Sequence, residues 1–123
     1  MAEAAKSRRG DRRRNYSVSR TEPGFRALLE LGATGRAFVK LSGFNKFSRQ
    51  PAPHEDACRF VAALIDGFTL DHCLWASDWP YLRALAHVDY GVLLQITLTL
   101  FPGAADRRKL LWDTPRKLFG FAG

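Results

Sequence analysis

The clearest hydrophobic pattern in this sequence is a stripe of apolar residues at helical spacing in the middle of the chain. The stripe recurs every three or four positions and consists of Ala57, Phe60, Val61, Leu64, Ile65 and Phe68. Glu55 and Asp56 come just before it, and acidic side chains are favourable at the N-terminus of a helix. The pattern therefore predicts an amphipathic helix with one face on a hydrophobic core.

Two short segments rich in strand-forming residues flank this helix. Residues 37–43 read Ala-Phe-Val-Lys-Leu-Ser-Gly, and residues 72–78 read His-Cys-Leu-Trp-Ala-Ser-Asp. The second segment stops before Trp79 and Pro80, because proline lacks the N–H that a helix or a central strand needs. The two segments start 35 positions apart, which is typical of strand-helix-strand units of about 30 or more residues. We therefore predict two parallel strands, with Asp78 at the carboxyl end of the second.

A further helix is predicted before the first strand. Thr21, Glu22 and Pro23 combine a capping hydroxyl, an acidic side chain and a proline, which favour a helix N-terminus. Apolar residues follow at helical spacing, and Gly32 is placed to end this helix.

The C-terminal third of the sequence is predicted to be helical. Residues 92–101 fit the spacing of a helix but also alternate as a strand does, and we favour the helix. Residues 104–112 form a short helix after a Pro-Gly pair, and Thr114 and Pro115 are expected to cap a last one. The order helix, strand, helix, strand, helices is typical of the α/β class.

The net charge of +7 is concentrated at the N-terminus. Residues 1–20 hold seven basic and two acidic residues, whereas the remainder holds 12 basic and 10 acidic residues. We predict a flexible basic arm over residues 1–20 and a folded segment over residues 21–123. An arginine-rich arm can bind phosphates, but the rest of the chain lacks a basic helix or a stacking platform. A nucleic-acid partner is therefore the less favoured interpretation.

The cysteines and the hydropathy indicate a cytoplasmic protein. Cys58 and Cys73 fit neither a disulfide framework nor a paired metal or redox motif, so we predict two reduced, mostly buried thiols. No apolar run approaches the ~18 to 20 residues that span a membrane, and residues 1–20 lack the apolar core of a secretory signal. We expect no association with membranes.

Asp78 is the outstanding candidate for chemistry. Catalytic groups of parallel α/β folds lie where strands end, which here means Ser42 and Asp78. Trp75 and Trp79 are expected to keep bulk water away from Asp78, which could bind a metal or take a proton from a hydrolytic water. A capping or salt-bridging carboxylate is the equally weighted alternative.

Three blocks of the sequence, in this order, resemble the C-terminal part of the amidohydrolase-related hydrolases. They are Phe-Val-Lys-Leu-Ser-Gly at 38–43, Leu-Trp-Ala-Ser-Asp-Trp-Pro at 74–80, and the segment 113–121, Asp-Thr-Pro-Arg-Lys-Leu-Phe-Gly-Phe. The family comprises TIM-barrel enzymes and includes the 2-pyrone-4,6-dicarboxylate lactonase and decarboxylase-like branches. The resemblance covers residues 23–121. It implies about two strands and the closing helices of a (β/α)8 barrel, which as a whole needs about 250 residues.

The resemblance also implies roles for individual residues. Asp78 matches the aspartate at the end of the eighth barrel strand, which activates water and can ligate a divalent metal such as zinc. Ser42, with the loop that follows it, matches the end of the seventh strand, which helps to bind an anionic substrate. Lys46 stands where many relatives have arginine, and Tyr81 where they commonly have histidine. Ser42, Lys46 and Tyr81 are thus the candidate substrate-binding residues.

The partners of Asp78 in such a metal site are missing from the sequence. His54, His72 and His87 are 18 and 15 positions apart and form no H-x-H pair. We expect a truncated hydrolase that acts on a lactone, ester or amide-type bond of a small anionic carboxylate, with little activity alone. Exposed barrel edges are expected to cause self-association or pairing with a complementary piece. The alternatives are a small basic nucleic-acid-binding protein and an inactive interaction protein.

Overall fold

The computed structural model describes residues 22–82 and 88–122. Its elements, in chain order, are α1 (Pro23–Ala33), β1 (Val39–Leu41), α2 (Phe44–Phe47), α3 (Glu55–Phe68), β2 (Cys73–Trp75), α4 (Tyr90–Leu100), α5 (Ala104–Arg108) and α6 (Thr114–Phe119). A 3₁₀ turn, Leu70–His72, leads into β2, and a π turn, Lys109–Asp113, joins α5 to α6. The predicted basic arm, the Thr21 cap and His87 lie outside the described residues.

The two strands pair in parallel, as the spacing of the two apolar segments predicts. Val39 lies opposite Cys73, and Leu41 lies opposite Trp75. The connection between the strands contains α3, and parallel strands need such a crossover. Because the strands run in the same direction and in this register, their carboxyl ends meet at one edge. The loops that follow β1 and β2 are therefore neighbours.

The hydrophobic core lies where the strands meet α3 and the C-terminal helices. Cys73 and Leu110 are both 0% exposed, and Phe68 at the end of α3 is buried beside them. The core also contains buried apolar side chains from every layer: Leu41, Phe44, Val61, Val88, Leu93, Ile96 and Phe101. The predicted face of α3 is thus confirmed as core-facing, and the described residues form an α/β unit of two strands and covering helices.

The first helix ends later than the position of Gly32 predicts. Gly32 lies inside α1, which runs to Ala33, and the left-handed Gly35 (φ +68°) donates its N–H to the Gly32 carbonyl. An ideal Cβ on Gly32 would lie 2.5 Å from Cδ2 of Phe68. The prediction that Gly32 ends the helix is therefore wrong. Gly32 instead lets α1 approach α3 closely, and Gly35 adopts the conformation that ends a helix.

The ambiguous segment 92–101 is confirmed as helical, since it lies almost entirely in α4. Thr97 and Thr99 donate their hydroxyls to the carbonyls four residues earlier, at 3.1 and 3.0 Å. These bonds let an otherwise apolar helix carry two hydroxyls without leaving them unpaired. None of the described helices, α4 included, is long and apolar enough to span a membrane. A cytoplasmic location stays a prediction.

The predicted last helix does begin at Thr114, but Thr114 does not cap it. Thr114 has helical backbone angles (φ −66°, ψ −48°), and its hydroxyl lies 3.5 Å from the Leu70 carbonyl rather than capping a helix. The chain therefore stays helical from α5 through the π turn into α6. The π turn comes just before Pro115, which has no N–H for a regular α-helical ladder. Thr114 is buried, so its packing position overrides the local capping pattern.

The two thiols are free and differ in burial. Burial raises the pKa of Cys73 to about 11, whereas Cys58 is half-buried, and burial with the charges of Asp56 and Glu55 raises its pKa. Since the thiolate is the reactive form, we expect iodoacetamide at pH 8 to modify Cys58 slowly and Cys73 only after unfolding. Peptide mass spectrometry with and without urea measures both rates. Equal modification of the two cysteines in the native chain would contradict the burial of Cys73.

Candidate active site

The site lies at the carboxyl edge of the sheet, where the loops after β1 and β2 meet. Gly43 follows β1 in a left-handed conformation (φ +78°), and a Cβ there would lie 3.0 Å from the Phe47 ring. Only glycine adopts this turn without strain, and the turn starts α2 immediately after the strand. Lys46 on α2 is thereby brought over the loop that follows β2, which carries Asp78.

Lys46 and Asp78 form an ion pair across these two loops. Nζ of Lys46 lies 2.5 Å from Oδ2 of Asp78, and the two side chains are 27% and 33% exposed. Solvent screens a pair of this exposure, so its contribution to stability is small. Its importance is positional, because the ammonium holds the carboxylate at the edge of the sheet and places a positive charge beside it. Of the two interpretations of Asp78, the salt-bridging carboxylate is observed, and that role leaves its second oxygen available for chemistry.

The turn that carries Asp78 has an unusual backbone. Asp78 and Tyr81 both have left-handed angles (φ +63° and +62°), and the Tyr81 N–H donates to the Asp78 carbonyl at 2.9 Å. The Trp79 N–H donates to the Ser77 hydroxyl at 3.2 Å. Left-handed conformations of residues other than glycine are costly and concentrate at functional sites, although aspartate tolerates them better than tyrosine. The turn therefore fixes where the Asp78 carboxylate stands.

The two tryptophans do not enclose Asp78 as expected. Trp79 is 73% exposed, because it projects from the turn at the edge of a two-stranded sheet where no described residue covers it. Trp75 is half-buried and packs edge-on against Tyr90, with ring centroids 5.5 Å apart. Trp79 therefore does not shield Asp78 from water, and the ring of Trp75 packs against Tyr90.

Ser42 lines a different space from the other candidate residues. It borders a cavity of about 330 Å³ between β1, α1 and α3, whose other walls include Phe25, Leu28 and Val61. Lys46, Asp78 and Tyr81 do not line this cavity. The structure thus pairs Lys46 with Asp78 and keeps Tyr81 in the same turn as Asp78, and it places Ser42 at the start of the loop that carries Lys46 but toward the helices. The binding role of Ser42 stays a prediction.

The described residues do not form a metal site. They contain no group of three or more His, Cys, Asp or Glu side chains that could hold a metal ion. His54 has its Nδ1 2.9 Å from the Gln50 carbonyl, and His72 packs against Phe38 with ring centroids 4.8 Å apart. A catalytic zinc site takes about three protein ligands, and Asp78, already paired with Lys46, is a single carboxylate.

Sequence reasoning missed two residues at this edge. Both amide atoms of Asn45, the indole Nε1 of Trp75 and the hydroxyl of Tyr81 are buried without a hydrogen-bond partner among the described residues. Tyr81 was a candidate by position, but Asn45 was not, and Trp75 was considered only as a cover for Asp78. Asn45 stands directly before Lys46, and that adjacency is the one sequence signal that could have drawn attention to it.

Comparison with known proteins identifies the family to which this chain belongs. The chain belongs to the amidohydrolase family, whose model matches residues 2–121, a range that includes most of the predicted arm. It is 34% identical to a 4-sulfomuconolactone hydrolase from Rhizobium radiobacter over 99 residues, which are 78% of this chain and 33% of that protein. A crystal structure from Pseudomonas putida, provisionally named a 2-pyrone-4,6-dicarboxylic acid hydrolase, is 31% identical and has a TM-score of 0.75. The alignment covers 88% of this chain and 40% of that one.

A third comparison concerns the fold alone. An amidohydrolase from Burkholderia multivorans, solved with bound zinc, is 20% identical, has a TM-score of 0.72, and is covered over 40% of its length. This chain spans about a third of the length of the curated relative and about 40% of the solved structures. The predicted family and the prediction of part of a (β/α)8 barrel are confirmed.

Proposed function

We propose that this chain supplies the water-activating aspartate of a hydrolase for small anionic carboxylates, acting on a lactone, ester or amide-type bond. The observation that carries the proposal is the Lys46–Asp78 pair at the carboxyl edge of the parallel strands. It places an acceptor for a proton next to a cation that attracts an anionic substrate. The similarity to a lactone hydrolase supports the type of bond.

Asp78 has the exposure and the fixed backbone that a general base requires. With its side chain one third exposed, it is accessible to a water molecule while Lys46 holds Oδ2. In the proposed step, Asp78 takes a proton from water as the water oxygen bonds to the carbonyl carbon of the substrate. The carbon–oxygen bond of the lactone ring then breaks, and Asp78 returns the proton to the departing oxygen.

Lys46 interacts with two anionic groups in this scheme. Its ammonium orients Asp78 in the free protein, and it is the cation of the site that can attract a substrate carboxylate. Lysine is a compact point charge without the two-pronged geometry of arginine, so it supplies attraction but little direction. We assign Tyr81 and Ser42 to the surrounding substrate-binding surface, as the family resemblance suggests.

We also propose that the complete enzyme uses a divalent metal such as zinc. Asp78 is the side chain of this site suited to ligate such an ion, and the described residues contain no group of three or more His, Cys, Asp or Glu side chains that could hold it. The steps above therefore use only Asp78, Lys46 and water.

We propose that the chain acts when it is joined to the remaining strands of a barrel. Each of the two strands has one neighbour, so each leaves one edge unpaired within the described residues. Large apolar side chains are also exposed beside the site and near the C-terminus: Trp79, Leu82, Tyr90, Trp112, Phe119 and Phe121. Unpaired edges and exposed apolar surface favour association with a matching segment or with a second copy.

A complementation experiment tests the proposed function. The full chain is mixed with the part of the Rhizobium radiobacter relative that lies outside the 99 matched residues. We expect a complex by size-exclusion chromatography and opening of the 4-sulfomuconolactone ring, followed by liquid chromatography, with neither piece active alone. Where the pieces do not associate, the same assay is run on a covalent fusion of the two. A folded complex or fusion that leaves the lactone intact would refute the proposal.

A further inference from the structure

We propose that Asp56 is a positioning residue, which holds Lys46 against Asp78 by tying the end of α2 to the start of α3. The inference rests on the proposed function, which gives the Lys46–Asp78 pair its role in hydrolysis. Asp56 lies in the first turn of α3, where its charge alone is favourable for that helix. Its hydrogen bonds to the chain that leaves α2 give it a second role.

The helix that carries Lys46 is too short to be stable by itself. α2 consists of the four residues Phe44–Phe47. The Lys46 N–H donates to the Gly43 carbonyl at 2.9 Å, and the Ser48 N–H donates to the Phe44 carbonyl at 3.0 Å. A single helical turn gains little from its own hydrogen bonds relative to the cost of ordering its backbone. The position of Lys46 therefore depends on what holds the two ends of α2.

The two ends of α2 are held in different ways. At the start, the Phe44 side chain is buried in the hydrophobic core. At the end, the Ser48 hydroxyl donates to Oδ1 of Asp56, and the Arg49 N–H donates to Oδ2 at 2.7 Å. We call these two bonds the Asp56 clamp. Lys46 lies two residues before Ser48, so the clamp acts on the turn that carries the ammonium group.

The charge of Asp56 strengthens the clamp. Burial alone would raise the pKa of Asp56, but the bonds from the Ser48 hydroxyl and from the Arg49 N–H lower it. The carboxylate is therefore ionised at neutral pH, and hydrogen bonds to an ionised acceptor are stronger than those between neutral groups. Gln50 adds to the same connection, because its side-chain Oε1 accepts the Asp56 N–H at 3.3 Å and its own N–H donates to the Ser48 hydroxyl oxygen at 3.0 Å.

The neighbouring Glu55 shows what a purely helix-stabilising acid would do. Glu55 lies in the same first turn of α3, is exposed, and takes no part in the bonds to residues 48–50. Its charge favours the helix N-terminus as that of Asp56 does. Asp56 differs because both of its oxygens accept bonds from the chain that leaves α2. Comparing the two acids therefore separates helix stabilisation from the positioning of Lys46.

The test measures the contact between Lys46 and Asp78 by cross-linking the full chain. A water-soluble carbodiimide couples an amine to a carboxylate that touches it, and peptide mass spectrometry quantifies the Lys46–Asp78 product. The Lys109–Asp71 pair, whose atoms are 2.9 Å apart at the other end of β2, is the internal reference. We expect Asp56→Asn to lower the ratio of the first product to the second by about 3- to 10-fold, because asparagine lacks the charge and replaces one acceptor with a donor.

Further variants show whether the effect belongs to the clamp. Ser48→Ala removes one of its two bonds and should also lower the ratio, whereas Ser48→Thr keeps the hydroxyl and should keep the parent ratio. Glu55→Gln should leave the ratio unchanged. Where Asp56→Asn does not fold, the two Ser48 variants decide. An unchanged ratio in Ser48→Ala, or an equal fall in Glu55→Gln, would overturn the proposal. Because no substrate is present, this result is independent of whether the chain catalyses lactone opening.

Discussion

The variant Asp78→Asn is expected to lower the hydrolysis rate of the reassembled enzyme by about 10²- to 10⁴-fold, the usual contribution of a general base. The amide has the same shape as the carboxylate but does not take a proton from water. Asparagine also tolerates the left-handed backbone of position 78 (φ +63°), so the turn and the complex should form normally. The measurement is kcat for 4-sulfomuconolactone, with size-exclusion chromatography to verify assembly.

A matched control for this variant exists elsewhere in the chain. Asp71 forms an ion pair of the same type with Lys109, at 2.9 Å, on the 3₁₀ turn that precedes β2. This turn is at the opposite end of the strand from Asp78. Asp71→Asn should therefore remove an aspartate–lysine pair and leave kcat within about twofold of the parent, as expected for an exposed pair. Similar losses in both variants would show that Asp78 acts through stability rather than through proton transfer.

The variant Gly32→Ala is expected to destabilise the fold by about 1–3 kcal/mol, the usual cost of inserting a methyl group into a packed core. The added Cβ would lie 2.5–2.8 Å from three carbons of the Phe68 ring. That ring is fully enclosed at the end of α3 and has no free space to move into. Urea unfolding followed by circular dichroism measures the change in the free energy of unfolding.

Gly24→Ala, on the same helix, is expected to stabilise the fold. No atom lies within 4 Å of a Cβ at Gly24, so the methyl group meets no neighbour. Alanine also loses less backbone entropy than glycine in a helix, and we expect a gain of roughly 0.5–1 kcal/mol. If Gly32→Ala were neutral or stabilising like Gly24→Ala, α1 and α3 would not approach each other as closely as the structure shows.

The elements that could be predicted from the sequence are those in which burial of one face imposes a regular spacing of hydrophobic residues. The apolar face of α3 and the two strand segments follow directly from the spacing of their hydrophobic residues, and that spacing also gives the parallel pairing. The end of α1 and the start of α6 depend instead on distant contacts. Gly32 is required by Phe68 of another helix, and Thr114 is held by packing near Leu70. Local capping patterns carry no information about such contacts.

The candidate site likewise has features that the sequence predicts and features that it does not. That Lys46 and Asp78 lie near one another follows from parallel strands, whose carboxyl ends share an edge. The burial of the Asn45 amide does not follow from the sequence, because an asparagine next to a lysine is ordinarily solvated. Its amide becomes notable only when packing removes it from water without giving it a partner. The exposure of Trp79 is likewise set by what covers the turn, and apolar character alone does not predict it.

The left-handed backbone at position 78 also limits how this protein can change over evolution. Aspartate, asparagine and glycine are the residues that accept such a conformation at low cost, and of these only aspartate takes up a proton. Under the proposed role of Asp78, descendants that keep the shape but lose the base should therefore carry asparagine or glycine here. The step from aspartate to asparagine or glycine needs one nucleotide change, so an enzyme with this turn lies a single mutation away from a folded, non-catalytic binding protein.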